Sequence, residues 1–86
     1  MFPTISAIRR CILTDILNDP ERDLTAEQDL LLSGILDSMS VLRLIAWLES
    51  ECQITIPAQD VIVEHFGSIN QIRRYLDTRA ASQVPG

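Results

Sequence analysis

Residues 34–52 read GILDSMSVLRLIAWLESEC, and this stretch decides the fold. From Asp37 or Ser38 to about Cys52, apolar residues recur at three- and four-residue spacing, which predicts an amphipathic helix. One side of this helix forms a core stripe made of Val41, Leu44, Ile45, Leu48 and Cys52. The opposite side carries a second apolar face made of Met39, Leu42 and Ala46.

Two interpretations of this second face stay open. Either the helix is central and the leucine-bearing connection before it covers both faces, or the second face is an exposed docking surface beside Ser38. A small helical domain cannot easily bury both faces of one helix, which favours at least partial exposure. Trp47 belongs to neither face, and it either fills a gap under the connection or lies partly exposed.

Upstream of this stretch, the apolar spacing predicts a first helix from about Thr4 to Asn18. Thr4 is the expected N-cap, and Pro20 is the expected stop signal because it restricts the residue before it. The connection that follows, residues 19–37, is long for a compact domain, and its leucines indicate that it packs across the core. Gly34 is expected to supply a backbone conformation that residues with a Cβ resist.

Downstream, a short helix is predicted over residues 61–66, with Asp60 as its cap and Gly67 as its C′ residue. Residues 68–71, Ser-Ile-Asn-Gln, match a capping box, so they are expected to open the last helix. The last helix is predicted to turn three apolar side chains inward, namely Ile69, Ile72 and Leu76.

The 86 residues suit one domain, which we expect to span residues 1–79, followed by a flexible C-terminal tail over residues 80–86. No alternating apolar run is long enough to found a sheet. The predicted fold class is therefore all-α, with three main helices, one short helix and a long first loop.

Charge excludes several classes of partner and chemistry. Seven arginines, no lysine and twelve acidic residues give a net charge of −5, which argues against nucleic acid and anionic membranes as partners. The lack of lysine excludes a P-loop and a Schiff base. One histidine, His65, and two cysteines are too few for a histidine cage or a cysteine-rich zinc site.

Cysteine usage indicates a reducing compartment, and the apolar runs predict no membrane span. Cys11 and Cys52 form no C-x-x-C motif, and the chain starts without a basic segment followed by an apolar run. No stretch reaches the roughly 18 apolar residues that a membrane span needs. We therefore expect reduced thiols and a cytoplasmic protein.

The segment around Ser38 resembles a known family. Residues 34–39, GILDSM, fit the G-L-L-D-S-L pattern of acyl and peptidyl carrier proteins, with Met39 in place of the usual Leu. The resemblance continues in order through Leu48-Glu49, through residues 54–57 (ITIP, similar to I-x-I-P), and through residues 65–69 (HFGSI, similar to F-x-S-I). It covers nearly the whole chain and implies an acyl-carrier-protein-like four-helix bundle.

The resemblance also implies a function. A phosphopantetheinyl transferase would attach a 4′-phosphopantetheine arm from coenzyme A to Ser38, and the thiol of the arm would hold a cargo as a thioester. The chain would be a monomeric carrier and not an enzyme. Its other partners would be an acyl- or aminoacyl-activating ligase and a downstream synthase, transferase or thioesterase. The expected partner-binding residues are Asp37, Met39, Leu42, Arg43 and Ala46.

One departure from the family bears on the pathway. Fatty-acid carriers often have Glu where this chain has Arg43, and the second helix is acidic only near its end, at Glu49 and Glu51. This favours a specialised cargo, in a polyketide, nonribosomal peptide or aminoacyl pathway, over fatty-acid synthesis.

Other interpretations of the same residues remain. Ser38 could be a plain helix N-cap, and the chain could be a fatty-acid carrier or an unmodified acidic adaptor that binds a partner through Met39, Leu42 and Ala46. A serine hydrolase is disfavoured, since there is no G-x-S-x-G and His65 is predicted on another helix. Cys52 is expected to be a core residue.

Overall fold

A computed structural model describes residues 2–82, with side chains for residues 2–79. Within these residues the chain consists of helices connected by loops. The predicted all-α class is confirmed, because residues 2–82 contain no strand. The elements are α1 (Ile5–Arg10) with a π-helical continuation (Cys11–Ile16), α2 (Ser38–Cys52), a 3₁₀ turn (Ala58–Asp60), α3 (Val63–Phe66) and α4 (Ile69–Ser82).

The first helix begins as predicted but does not stay regular. Ala7 N donates a hydrogen bond to Thr4 Oγ1 at 3.1 Å, which confirms the predicted cap. Beyond Arg10 the helix widens into π-helical turns over Cys11–Ile16. It ends earlier than predicted because Asn18 already has a left-handed backbone, with φ of 52°, a conformation that asparagine tolerates.

The long connection packs across the core, as its leucines predict. Leu24, Leu30 and Leu36 are each at most 3% exposed. Hydrogen bonds attach it to distant parts of the chain: Arg9 Nε donates to Leu24 O at 2.8 Å, Leu30 N donates to Gly67 O at 2.7 Å, and Asn70 N donates to Ala26 O at 3.0 Å. The connection is therefore a fixed layer of the fold.

The short third helix differs from its prediction. A helix over residues 61–66 capped by Asp60 was expected, but α3 begins at Val63 and the 3₁₀ turn Ala58–Asp60 precedes it. The Asp60 carboxylate instead accepts a hydrogen bond from the Tyr75 hydroxyl at 2.7 Å. The expected cap is wrong because α3 begins two residues later than predicted, with Ile62 at its N-cap position.

Gly67 ends α3 as predicted, but for a different physical reason. Its φ is −74°, which is not the left-handed conformation of a C′ glycine. A Cβ at this position would lie 2.5 Å from Val63 O and 2.6 Å from Gln71 Oε1. Glycine is therefore needed for close packing where α3 meets α4. The predicted cap of α4 is present, since Gln71 N donates to Ser68 Oγ at 3.2 Å.

The last helix turns its predicted face inward, since Ile69, Ile72 and Leu76 are fully buried. Helix α4 packs against both α1 and α3, and the π-helical segment packs against α2. Helix α4 extends to Ser82, so residues 80–82 of the expected tail are helical, and residues 83–86 lie outside the described residues. The domain boundary at residue 79 stays a prediction.

Candidate functional site

Helix α2 has one buried face and one exposed face. On the predicted core stripe, Leu44, Ile45, Leu48 and Cys52 are buried and Val41 is half-buried. On the second face, Met39 is 64% exposed, Leu42 is 61% exposed and Ala46 is also exposed. The expected exposure of this face is confirmed, and the interpretation in which the connection covers both faces is wrong. The role of the face as a docking surface stays a prediction. Trp47 is half-buried against the core.

The N-terminus of α2 presents Ser38 to solvent. Asp37 is the N-cap, with an extended backbone, and its carboxylate accepts a hydrogen bond from Ser40 N at 2.8 Å. Its carbonyl accepts the first helical bond, from Val41 N at 2.9 Å. Ser38 is the first helical residue and is exposed. The interpretation of Ser38 as the plain N-cap is therefore wrong, because Asp37 has that role.

The capping bond also sets the charge next to Ser38. The hydrogen bond from Ser40 N to the Asp37 carboxylate lowers the pKa of that carboxyl group below its usual value. Asp37 therefore remains ionised at neutral pH, and its negative charge lies at the positive end of the α2 dipole.

A hydrogen-bonded turn built on Asp29 precedes the site. Its carboxylate accepts hydrogen bonds from Leu31 N at 3.1 Å and Leu32 N at 2.9 Å. The Ser33 hydroxyl donates to the Asp29 carbonyl and accepts from Ile35 N at 3.3 Å. The roles of Asp29 and Ser33 were missed at the sequence level. Asp is typical of turns in which its side chain accepts from the backbone two residues on, so a signal for Asp29 is present in the sequence.

The chain reverses direction at Gly34, just before Ser38. Gly34 has φ of 81°, which confirms the expected special conformation. Leu36 N donates to Leu30 O at 2.9 Å and closes the turn, and both leucines are buried. Because the turn is anchored in the core at both ends, it fixes the point at which Ser38 emerges.

His65 is half-buried beside Tyr75, and both cysteines are buried. The ring of His65 lies 4.9 Å from the ring of Tyr75, centroid to centroid, at the end of α3. Burial raises the pKa of the Cys11 thiol to about 12 and also raises that of Cys52, which is a core residue as expected. Among the described residues, no group of three or more His, Cys, Asp or Glu side chains could hold a metal ion.

The described chain is thus an all-helical bundle with an exposed serine as the first residue of a well-capped helix. A family model described as the phosphopantetheine attachment site matches residues 6–76. Since this match covers most of the chain, the chain belongs to the phosphopantetheine attachment family and is a carrier protein. No curated protein matches the chain.

Domains of this family carry covalently attached 4′-phosphopantetheine, interact with the transferase that adds it and with other enzymes, and are not catalytic themselves. The residues at the start of α2 fit such a group. Ser38 offers an exposed hydroxyl, and the N-terminus of a 15-residue helix favours the negative charge of a phosphodiester. Within residues 2–82, none of the helices is both long enough and apolar enough for a membrane span.

Proposed function

We propose that Ser38 is the attachment point of the phosphopantetheine arm. The observation that carries this proposal is the exposed hydroxyl of Ser38 directly after its capping residue, Asp37. The transferase must bring coenzyme A onto the reacting oxygen, so the serine has to be open to solvent and rigidly held. The cap on one side and the turn anchored by Leu30 and Leu36 on the other meet both requirements.

The attachment step uses the serine as a nucleophile that another protein activates. Ser38 Oγ forms a bond to the β-phosphorus of coenzyme A, the bond to 3′,5′-adenosine bisphosphate breaks, and the hydroxyl proton passes to a base of the transferase. Asp37 holds the first turn of α2, so the oxygen stays at the helix N-terminus throughout. Once bound, the arm supplies a terminal thiol that holds cargo as a thioester.

We further propose that the protein shuttles its cargo between enzymes of a specialised pathway, polyketide, nonribosomal peptide or aminoacyl. The exposed face of α2 beside Ser38 supports this, with Asp37, Met39, Leu42, Arg43 and Ala46 as the partner-binding residues. An activating ligase would load the arm, and a synthase, transferase or thioesterase would receive the cargo. The buried, unpaired thiols of the two cysteines are consistent with a cytoplasmic location.

Two other functions share part of this support. The same exposed apolar face would serve an unmodified adaptor, which predicts binding that does not depend on Ser38. A carrier for fatty-acid synthesis would share the arm but would be charged and elongated efficiently by fatty-acid enzymes, and Arg43 on the docking face argues against that.

The attachment site can be tested with a fluorescent coenzyme A analogue and a transferase of broad specificity. We expect the full chain to be labelled once and Ser38→Ala not to be labelled. Ser6→Ala is the matched control, because Ser6 is also exposed but lies on α1, and it should be labelled like the wild type. Label that persists in Ser38→Ala would overturn the proposal.

A further inference from the structure

The exposed face of α2 continues as one stripe along the helix. Its members recur at three- and four-residue spacing on the side opposite the core stripe. All of them are exposed, and we call them the docking stripe: Met39, Leu42, Arg43, Ala46 and Ser50. The stripe therefore combines large apolar side chains near Ser38 with a single charge, on Arg43.

The acidic residues of α2 do not contribute to this stripe. Between residues 38 and 48, Arg43 is the only charged side chain. Glu49 is half-buried, and its carboxylate accepts a hydrogen bond from Ile56 N at 2.8 Å. Glu51 lies on another side of the helix, where its charge helps to raise the pKa of the Cys52 thiol. Arg43 is thus the only charge within the stripe, while the ionised N-cap Asp37 lies just before Ser38 and outside it.

Arg43 is also available for an intermolecular contact. Neither of the ion pairs found within residues 2–79 includes it, and its side chain is exposed. An arginine guanidinium offers a planar fork of donors that matches a carboxylate in two-point contact. Arginine beside an apolar patch is also the composition typical of the centre of a protein–protein interface.

We propose that the docking stripe binds pathway enzymes whose surface has an apolar pocket for Met39 and Leu42, bordered by a carboxylate that pairs with Arg43. This inference rests on the proposed carrier function, and it names the chemistry of the partner at that same site. Within the stripe the charge is the reverse of that of an acidic docking helix, so a basic group placed against Arg43 would oppose docking.

A second copy of the chain is a poorer occupant of the stripe. A symmetric dimer buries the same patch on both subunits, so it would bring two Arg43 charges into one interface without any carboxylate from the stripe to pair with them. Like charges at an interface oppose association. The complementary surface must therefore come from a different protein that supplies the carboxylate.

The test uses the full-length protein after the arm has been added and verified by intact mass. A panel of carrier-loading ligases is chosen in which half have acidic and half have basic carrier-docking surfaces. For each ligase the loading rate at low carrier concentration is divided by its rate at saturating carrier, so the ratio reports docking and not the chemistry of that ligase. We expect acidic-surface ligases to load the wild type about tenfold faster at low salt, and high salt to reduce this preference.

Three variants identify the responsible charge. Arg43→Glu should reverse the order of the two ligase groups, and Arg43→Lys should keep the wild-type order with a smaller ratio. Arg74→Glu is the matched control, because it makes the same change of net charge at an exposed position on α4, and it should keep the wild-type order. Circular dichroism verifies that each variant is folded.

The docking proposal would be overturned by any of three results: equal loading by both ligase groups, faster loading by the basic group, or no loading of the modified wild type. If Arg43→Glu does not fold, the order measured for the wild type and Arg43→Lys decides the question. Failure of the wild type to gain the arm would instead contradict the proposed function, so the two failures are distinguishable.

Discussion

The hydroxyl of Tyr75 joins α4 to the segment that carries α3, and its removal tests how that segment is held. The hydroxyl donates to the Asp60 carboxylate at 2.7 Å and accepts from Arg79 Nη1 at 2.9 Å. In Tyr75→Phe both bonds are lost, while the ring keeps its place near Phe66, 5.1 Å away between centroids. We expect the variant to fold and to be less stable.

The size of the effect follows from the charges and their exposure. A hydrogen bond to a charged group contributes about 1.5–3 kcal/mol to stability. Asp60 and Arg79 have side chains that are 28% and 22% exposed, so water partly replaces the lost partner. Their mutual contact, at 3.9 Å, also remains. We therefore expect a loss of about 1.5 kcal/mol in the free energy of unfolding, or roughly 6–12 °C in Tm.

The difference between wild type and variant should depend on pH in a defined direction. Burial, and then the hydrogen bond to Asp60, raises the pKa of Tyr75. The folded pKa lies above the unfolded value of about 10, so this stabilisation is complete below that pH and is lost as pH rises through the folded pKa. The difference in free energy of unfolding between the wild type and Tyr75→Phe should therefore stay constant near neutral pH and become smaller at alkaline pH.

Urea unfolding followed by far-UV circular dichroism, at neutral pH and at alkaline pH, measures both effects. Asp60→Asn and the double variant complete a mutant cycle, in which the two single losses should not add because they remove the same contact. A Tyr75→Phe protein as stable as the wild type, or additive losses in the double variant, would refute this reasoning.

Three further outcomes follow from packing and burial. Gly67→Ala should lower the free energy of unfolding by about 1–3 kcal/mol in urea titrations, because its Cβ would lie 2.5 Å from Val63 O; an unchanged midpoint would contradict this. Leu48→Ala should cost about 2–5 kcal/mol in the same assay, since Leu48 is fully buried, and a loss under 1 kcal/mol would contradict the packing. The thiols of Cys11 and Cys52 should react with a disulfide reagent only after denaturant is added, and fast reaction in buffer would show that they are not buried.

The features predicted correctly from the sequence are local ones. The two faces of α2 follow from its apolar period, and the special backbone of Gly34 follows from its place between a turn and a helix. The caps Thr4 and Ser68 were visible because a capping residue and its target lie within three positions. Such features need only the neighbouring sequence.

The features that were missed depend on contacts distant in sequence or on backbone geometry. The local sequence predicts that Asp60 caps the next helix. Its actual partner, Tyr75, is fifteen residues away and therefore does not show in the local pattern. The π-helical turns Cys11–Ile16 keep the apolar spacing of an ordinary helix, so periodicity does not reveal them. The need for Gly67 comes from the approach of α3 to α4, which the sequence alone does not show.

The position of the arm on the chain is the most direct test of the carrier function. Trypsin cleaves after Arg22 and Arg43 and releases a 23–43 peptide that contains three serines, Ser33, Ser38 and Ser40. After the protein is treated with coenzyme A and a transferase, fragmentation of this peptide in a mass spectrometer should locate one phosphopantetheinyl group on Ser38. A group located on either of the other serines, or a peptide that stays unmodified with every transferase, would contradict the assignment.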